Sequence, residues 1–136
     1  GLARVRLNPQ GMAVTPDGRR LVVANWGNYS NPFRLIVGHT VQVIDTASMR
    51  VVRTINVGLL PIGVAISARG DRAYVVNNGS STVSTVDLVR GRVITTARVG
   101  FAPSEAALAP GGRTLWVTNT GIGARVGNTV SVLSTR

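Results

Sequence analysis

Short apolar runs separated by turn residues recur along the chain at fixed spacing. Residues 9–25 (PQGMAVTPDGRRLVVAN), 61–77 (PIGVAISARGDRAYVVN) and 103–119 (PSEAALAPGGRTLWVTN) align without gaps. Each reads as a hairpin. Met12-Ala13-Val14, Val64-Ala65-Ile66 and Ala106-Ala107-Leu108 are apolar runs suited to a buried strand. A turn follows in each, with Gly18, Gly70 or Gly112 supplying a positive φ. The second strand, around Leu21-Val22-Val23, Tyr74-Val75-Val76 or Leu115-Trp116-Val117, is rich in β-branched and aromatic residues, which fit a pleated surface.

A third strand recurs as residues 40–45, 82–87 and 129–134, with the period-two alternation of a strand packed on one face. A fourth follows twice, over residues 50–57 and 92–99, and leads through Gly58 or Gly100 to the next proline. The third copy stops after its third strand. Residues 3–7 precede Pro9 as a fourth strand would, although Arg6 stands where the other copies have glycine. The pattern therefore predicts an all-β chain of three four-stranded units with no helix. The first covers about residues 9–58 and the second about 61–100. The third covers about 103–136, with the N-terminal strand 3–7 completing it.

Tyr74-Val75-Val76-Asn77-Asn78 and Trp116-Val117-Thr118-Asn119-Thr120, each followed by a Thr-Val-Ser strand, resemble the YVTN repeat. The resemblance implies a β-propeller, each unit being one blade. Proteins with similar repeats include surface-layer proteins, lactonase-like and lyase-like enzymes, and haem-carrying redox propellers. Covalent haem attachment is excluded by the absence of cysteine. Propellers typically have four to eight blades, so three blades leave two apolar faces in water. Closure of two copies into a six-bladed homodimer is the expectation, the alternative being that the chain is a segment of a longer propeller.

The copies differ most between their second and third strands, on the face where the resemblance puts ligand binding. The longest insertion, residues 26–39, holds Trp26, Asn28, Tyr29, Phe33, Arg34 and His39. An aromatic and amide cluster of this kind suits a carbohydrate or a peptide; the competing reading is that Trp26, Phe33 and Leu35 fold back to close the loop. The insertion over 121–128 is glycine-rich, adds Arg125, and reads as a flexible lip. Glu105 replaces Gly11 and Gly63 near the expected channel, where it either meets a ligand or cation or pairs with a nearby arginine.

The formal charge is +10, all fifteen cations being arginine. Arginine suits phosphate and carboxylate, but no run of five or six cations appears, and aromatic residues at 4% are too sparse for base-stacking platforms. Nucleic acid is therefore not the expected partner. No apolar run reaches the roughly 18 residues of a spanning helix. No metal site and no cofactor are expected. The leading expectation is a binding or structural module, extracellular or at a cell surface, with its ligand face on the inserted loops. The alternative is a lactonase-like or lyase-like enzyme with its site at the central channel.

Overall fold

A computed structural model of the chain describes residues 1–28 and 36–135, with only the backbone described for Asn28. The described residues form three antiparallel sheets and no helix. The first sheet orders β1 (Pro9–Val14), β2 (Arg20–Asn28), β3 (Ile36–Asp45) and β4 (Arg50–Asn56) side by side. The second repeats this with β5 (Pro61–Ile66), β6 (Arg72–Asn77), β7 (Thr82–Asp87) and β8 (Arg92–Arg98). The third holds only β9 (Pro103–Leu108), β10 (Thr114–Ile122) and β11 (Arg125–Ser134).

The sheets stack on one another through the faces that the alternation marks as apolar. Val22, Ala24, Val41, Val43 and Ile55 of the first meet Ala73, Val75, Val86 and Leu88 of the second. Tyr74, Val76 and Val83 of the second meet Leu115 and Val117 of the third. Contact is closest between the first strands, β1 with β5 and β5 with β9, and thins to a few contacts between β4 and β8. Sheets that touch at their first strands and fan apart at their last are arranged about an axis, and the architecture is consistent with a β-propeller-like domain. The sheets do not close into a ring.

Glycine makes the inner approach possible. A Cβ on Gly63 would lie 2.7 Å from the Ser104 carbonyl oxygen, and one on Gly11 would run into that of Ile62. Arginines fasten the same seams. Arg20 Nη1 donates to the Leu88 carbonyl at 3.1 Å, and Arg72 Nη1 to that of Thr135 at 3.1 Å. The asparagine that closes each repeated segment, Asn25, Asn77 or Asn119, is buried and locks the second strand to the third. Asn77 Nδ2 donates to Thr82 Oγ1 at 3.1 Å and to Ser84 Oγ at 2.9 Å, and Asn119 repeats this with Thr129 and Ser131.

The N-terminal segment departs from expectation. Residues 1–8 form no strand, and β11 remains a sheet edge. The segment lies beside the first blade, where Leu7 and Asn8 carbonyls accept from Gly27 and Trp26 N–H groups. Leu59 and Leu60 do the same for Gly79 and Asn78 in the second blade. Asn8, Leu60 and Ala102 share a positive φ of 52, 53 and 47°. The segment therefore behaves as an inter-blade linker, and the third blade, at the far end of the arc, is out of its reach.

Both ends of the arc expose apolar side chains. Tyr74 and Val83 are 4% and 2% exposed against the third blade, whereas their counterparts Trp116 and Val130 are 48% and 54% exposed. On the first blade, Met12 and Val14 stand open, whereas their counterparts Val64 and Ile66 are half-buried against the neighbouring blade.

Candidate functional site

Two of the three blades carry an arm. In the second blade, Asn77 and Thr82 pair across a tight connection. In the first, pairing runs past Asn25–Thr40 to Gly27–Val37 and Asn28–Ile36. In the third it runs past Asn119–Thr129 to Gly121–Val126 and Ile122–Arg125. The expected flexible lip at 121–128 is therefore a β-hairpin extension. Each arm leaves its sheet through a bulge, which bends the strand and re-aims the residues beyond it. Gly27 has φ 107° and Gly121 φ 74°, and a Cβ on either would collide with the opposite strand at Gly38 or Gly127. The repeat register stops at this bulge, which is why an apolar and polar pattern alone shows the insertion but not its strands.

The residues singled out from the sequence fall in three places. Trp26 is half-buried at the base of the first arm, with its backbone N–H on the Asn8 carbonyl. Asn28 lies in β2 at the tip of the described hairpin, whereas Tyr29, Phe33 and Arg34 fall outside the described residues. His39 is exposed on β3, with Nδ1 3.4 Å from the Val37 carbonyl oxygen. Arg125, on the second arm, stacks its guanidinium over the Phe101 ring at 4.2 Å, a cation–π contact between arm and linker.

Glu105 stands apart from all of these, exposed near the start of β9 on the open side of the third blade. The expected arginine partner is not there. The ion pairs among the described residues join Arg69 to Asp71 and Arg90 to Asp87. Instead, Thr118 Oγ1 accepts the Glu105 N–H at 3.2 Å and lies 3.0 Å from Ser104 Oγ, making a small polar group. Among the described residues, no three His, Asp or Glu side chains gather as a metal site. No described helix is long and apolar enough to cross a membrane.

The opposite face is built from turns whose aspartates are already engaged. The Thr15 hydroxyl, then the Arg19 N–H, holds the Asp17 carboxyl below the ordinary range. The Ser48 N–H and hydroxyl do this for Asp45, and the Arg90 N–H and guanidinium for Asp87. These carboxylates cap turns and are not free for acid–base chemistry.

A pocket of about 340 Å³ opens at the base of the first arm, between the N-terminal segment and β2–β3. Val5, Leu7, Ile36 and Val37 form its apolar wall, and Arg6 and His39 line it too. The sequence pointed to His39 but not to Arg6, whose only signal was the loss of the linker glycine.

No family model matches the chain, and no curated protein matches its sequence. Among solved structures 653 chains match, and a shared architecture does not by itself assign an activity. One of them is Kuenenia stuttgartiensis hydrazine synthase, 28% identical with a TM-score of 0.83. The alignment covers 98% of this chain and 34% of that one, so this chain spans about a third of the length of the protein it resembles.

Proposed function

We propose that this chain is half of a six-bladed propeller of the YVTN type, completed by a second copy, and that it is a binding module whose ligand face carries the two arms. The observation that carries the reading is the contrast among the blades. The connection between second and third strands is a tight turn in one blade and a bulged, projecting hairpin in the other two. Projections on a rigid scaffold suit recognition. Carbohydrate or peptide is the ligand class, and an extracellular or cell-surface setting belongs to the same reading. The exposed apolar faces at the two ends of the arc support the second copy, because each matches a face buried between blades.

The enzymatic alternative draws support from the likeness to part of an enzyme chain. It would enlist His39 and Glu105, which sit on different blades, His39 lining the pocket at the base of the first arm and Glu105 lying outside it. Glycan and peptide arrays test the binding reading. Replacing residues 120–128 by the short connection of the second blade should abolish array binding while the far-ultraviolet spectrum stays unchanged. Binding that survives removal of either arm would refute it.

A further inference from the structure

The pocket at the base of the first arm arises from a matched pair of departures from the repeat. In the second blade the linker glycine seats directly on the buried asparagine: a Cβ on Gly58 would fall 2.6 Å from Asn77 Cγ. Gly100 sits against Asn119 in the same way. No side chain fits that approach. The corresponding residue of the N-terminal segment is Arg6, so this linker cannot seat on Asn25 as the others seat on their asparagines. The residue opposite has changed with it, since Gln42 stands where the other blades have Ser84 and Ser131.

The longer side chain spans the wider gap. Gly100 N–H donates to Ser131 Oγ at 3.1 Å, whereas Arg6 N–H donates to Gln42 Oε1 at 2.7 Å. Asn25 Nδ2 reaches the same Gln42 oxygen at 3.3 Å, so the lock on the third strand is kept. What remains is the cavity of about 340 Å³, within the size range of small-molecule sites.

Its lining defines a chemistry. Val5, Leu7, Ile36 and Val37 offer apolar contact, Arg6 and His39 line the same space, and among the described residues no carboxylate does. Arg6 takes no part in the ion pairs among the described residues, so its charge is not neutralised by a protein partner there. Arg6 is exposed where it lines this space, and an arginine at the rim of an apolar wall suits a ligand with one carboxylate and a hydrocarbon body.

We propose that this pocket binds a small amphipathic carboxylate, its hydrocarbon body on Val5, Leu7, Ile36 and Val37 and its carboxylate on Arg6.

Calorimetric titration of the full chain with hexanoate, and with hexan-1-ol as the neutral counterpart, tests it. Saturable hexanoate binding is expected, with the alcohol at least about tenfold weaker, since a charge-assisted bidentate contact is lost. Arg6→Gln should reduce hexanoate to the level of the alcohol and leave the alcohol unchanged. A second variant, Arg6→Gly with Gln42→Ser, restores the linker found in the other blades and should remove both ligands. Absence of saturable hexanoate binding, equal affinity for acid and alcohol, or hexanoate binding that persists unchanged in Arg6→Gln would each overturn the assignment.

Discussion

Gly63→Ala should weaken the fold by an amount set by the seam between the second and third blades. The new Cβ would stand 2.7 Å from the Ser104 carbonyl oxygen and 3.3 Å from both Glu105 Cα and Val76 Cγ2. Two of the three atoms are backbone, so relief requires the third sheet to move by several tenths of an ångström. Overpacking of this kind costs about 1–3 kcal/mol. Loss of glycine's freedom in the unfolded chain offsets about 0.4–1 kcal/mol. A net loss of roughly 1–2 kcal/mol lowers the thermal midpoint by some 4–10 °C in a chain of this size, scaling from about 4–8 °C per kcal/mol in smaller domains and 2–4 in larger ones. Urea and thermal unfolding read both quantities. Gly11→Ala should cost more, because its Cβ would meet the Ile62 carbonyl still more closely. Val89→Ala, at a largely exposed position, sets the baseline within about 0.5 kcal/mol. If both glycine variants match that baseline, the first strands do not approach as described and the blades are not stacked in this way.

Three further outcomes are expected from the same geometry. Asn77→Ala removes two hydrogen bonds and leaves a void in a fully buried site, and should cost about 2–3 kcal/mol by urea unfolding; a loss under about 0.5 kcal/mol would deny the asparagine its locking role. Arg72→Met removes the bond to the Thr135 carbonyl while keeping the aliphatic stem, and about 0.5–1.5 kcal/mol should be lost; an unchanged urea midpoint would contradict the latch. Asp17, Asp45 and Asp87 have carboxyl groups held below their ordinary value of 3.8 in the folded state. Their stabilising effect is therefore present above that value and fades as the pH falls through their lowered values. The thermal midpoint should drop on acidification below about pH 4, and less steeply in Asp87→Asn; equal acid sensitivity of that variant and the parent would argue against the assignment.

The repeat made most of the fold legible. Tyr74-Val75-Val76-Asn77 and its counterparts mark the second strands, and the recurring glycine and proline spacing marks where the chain turns. The third strands finish where expected, at Asp45, Asp87 and Ser134, although β3 and β11 begin four residues early, and the fourth strands stop one residue short, Arg50–Asn56 against residues 50–57 for example. The features that escaped depend on a neighbour outside the repeat unit. Arg20 and Arg72 look like ordinary surface cations until the next blade brings a carbonyl to them. The arms were seen as insertions, but their strands come after a bulge that resets the alternation, so periodicity could not extend through Trp26-Gly27 or Thr120-Gly121.

The N-terminal segment shows the opposite failure. Val5 has the right distance from Pro9 for the end of a fourth strand, yet a strand forms only by pairing along a sheet edge, and residues 1–8 join none of the three sheets. The candidate site was legible in part. His39 was picked out as the sole histidine, whereas Arg6 and Gln42 acquire meaning only when each is set against the glycine and serine of the other blades. Of the two readings for Glu105, the arginine pair is absent among the described residues, and the side chain is exposed on the open side of the arc.

Blades stacked about an axis and finished by a second copy should behave as a dimer in solution. Light scattering on the purified chain across a concentration series measures this directly. A mass of twice 14.2 kDa, falling toward 14.2 kDa in Trp116→Glu, is the expected result. A folded species that stays at 14.2 kDa at every concentration would contradict it.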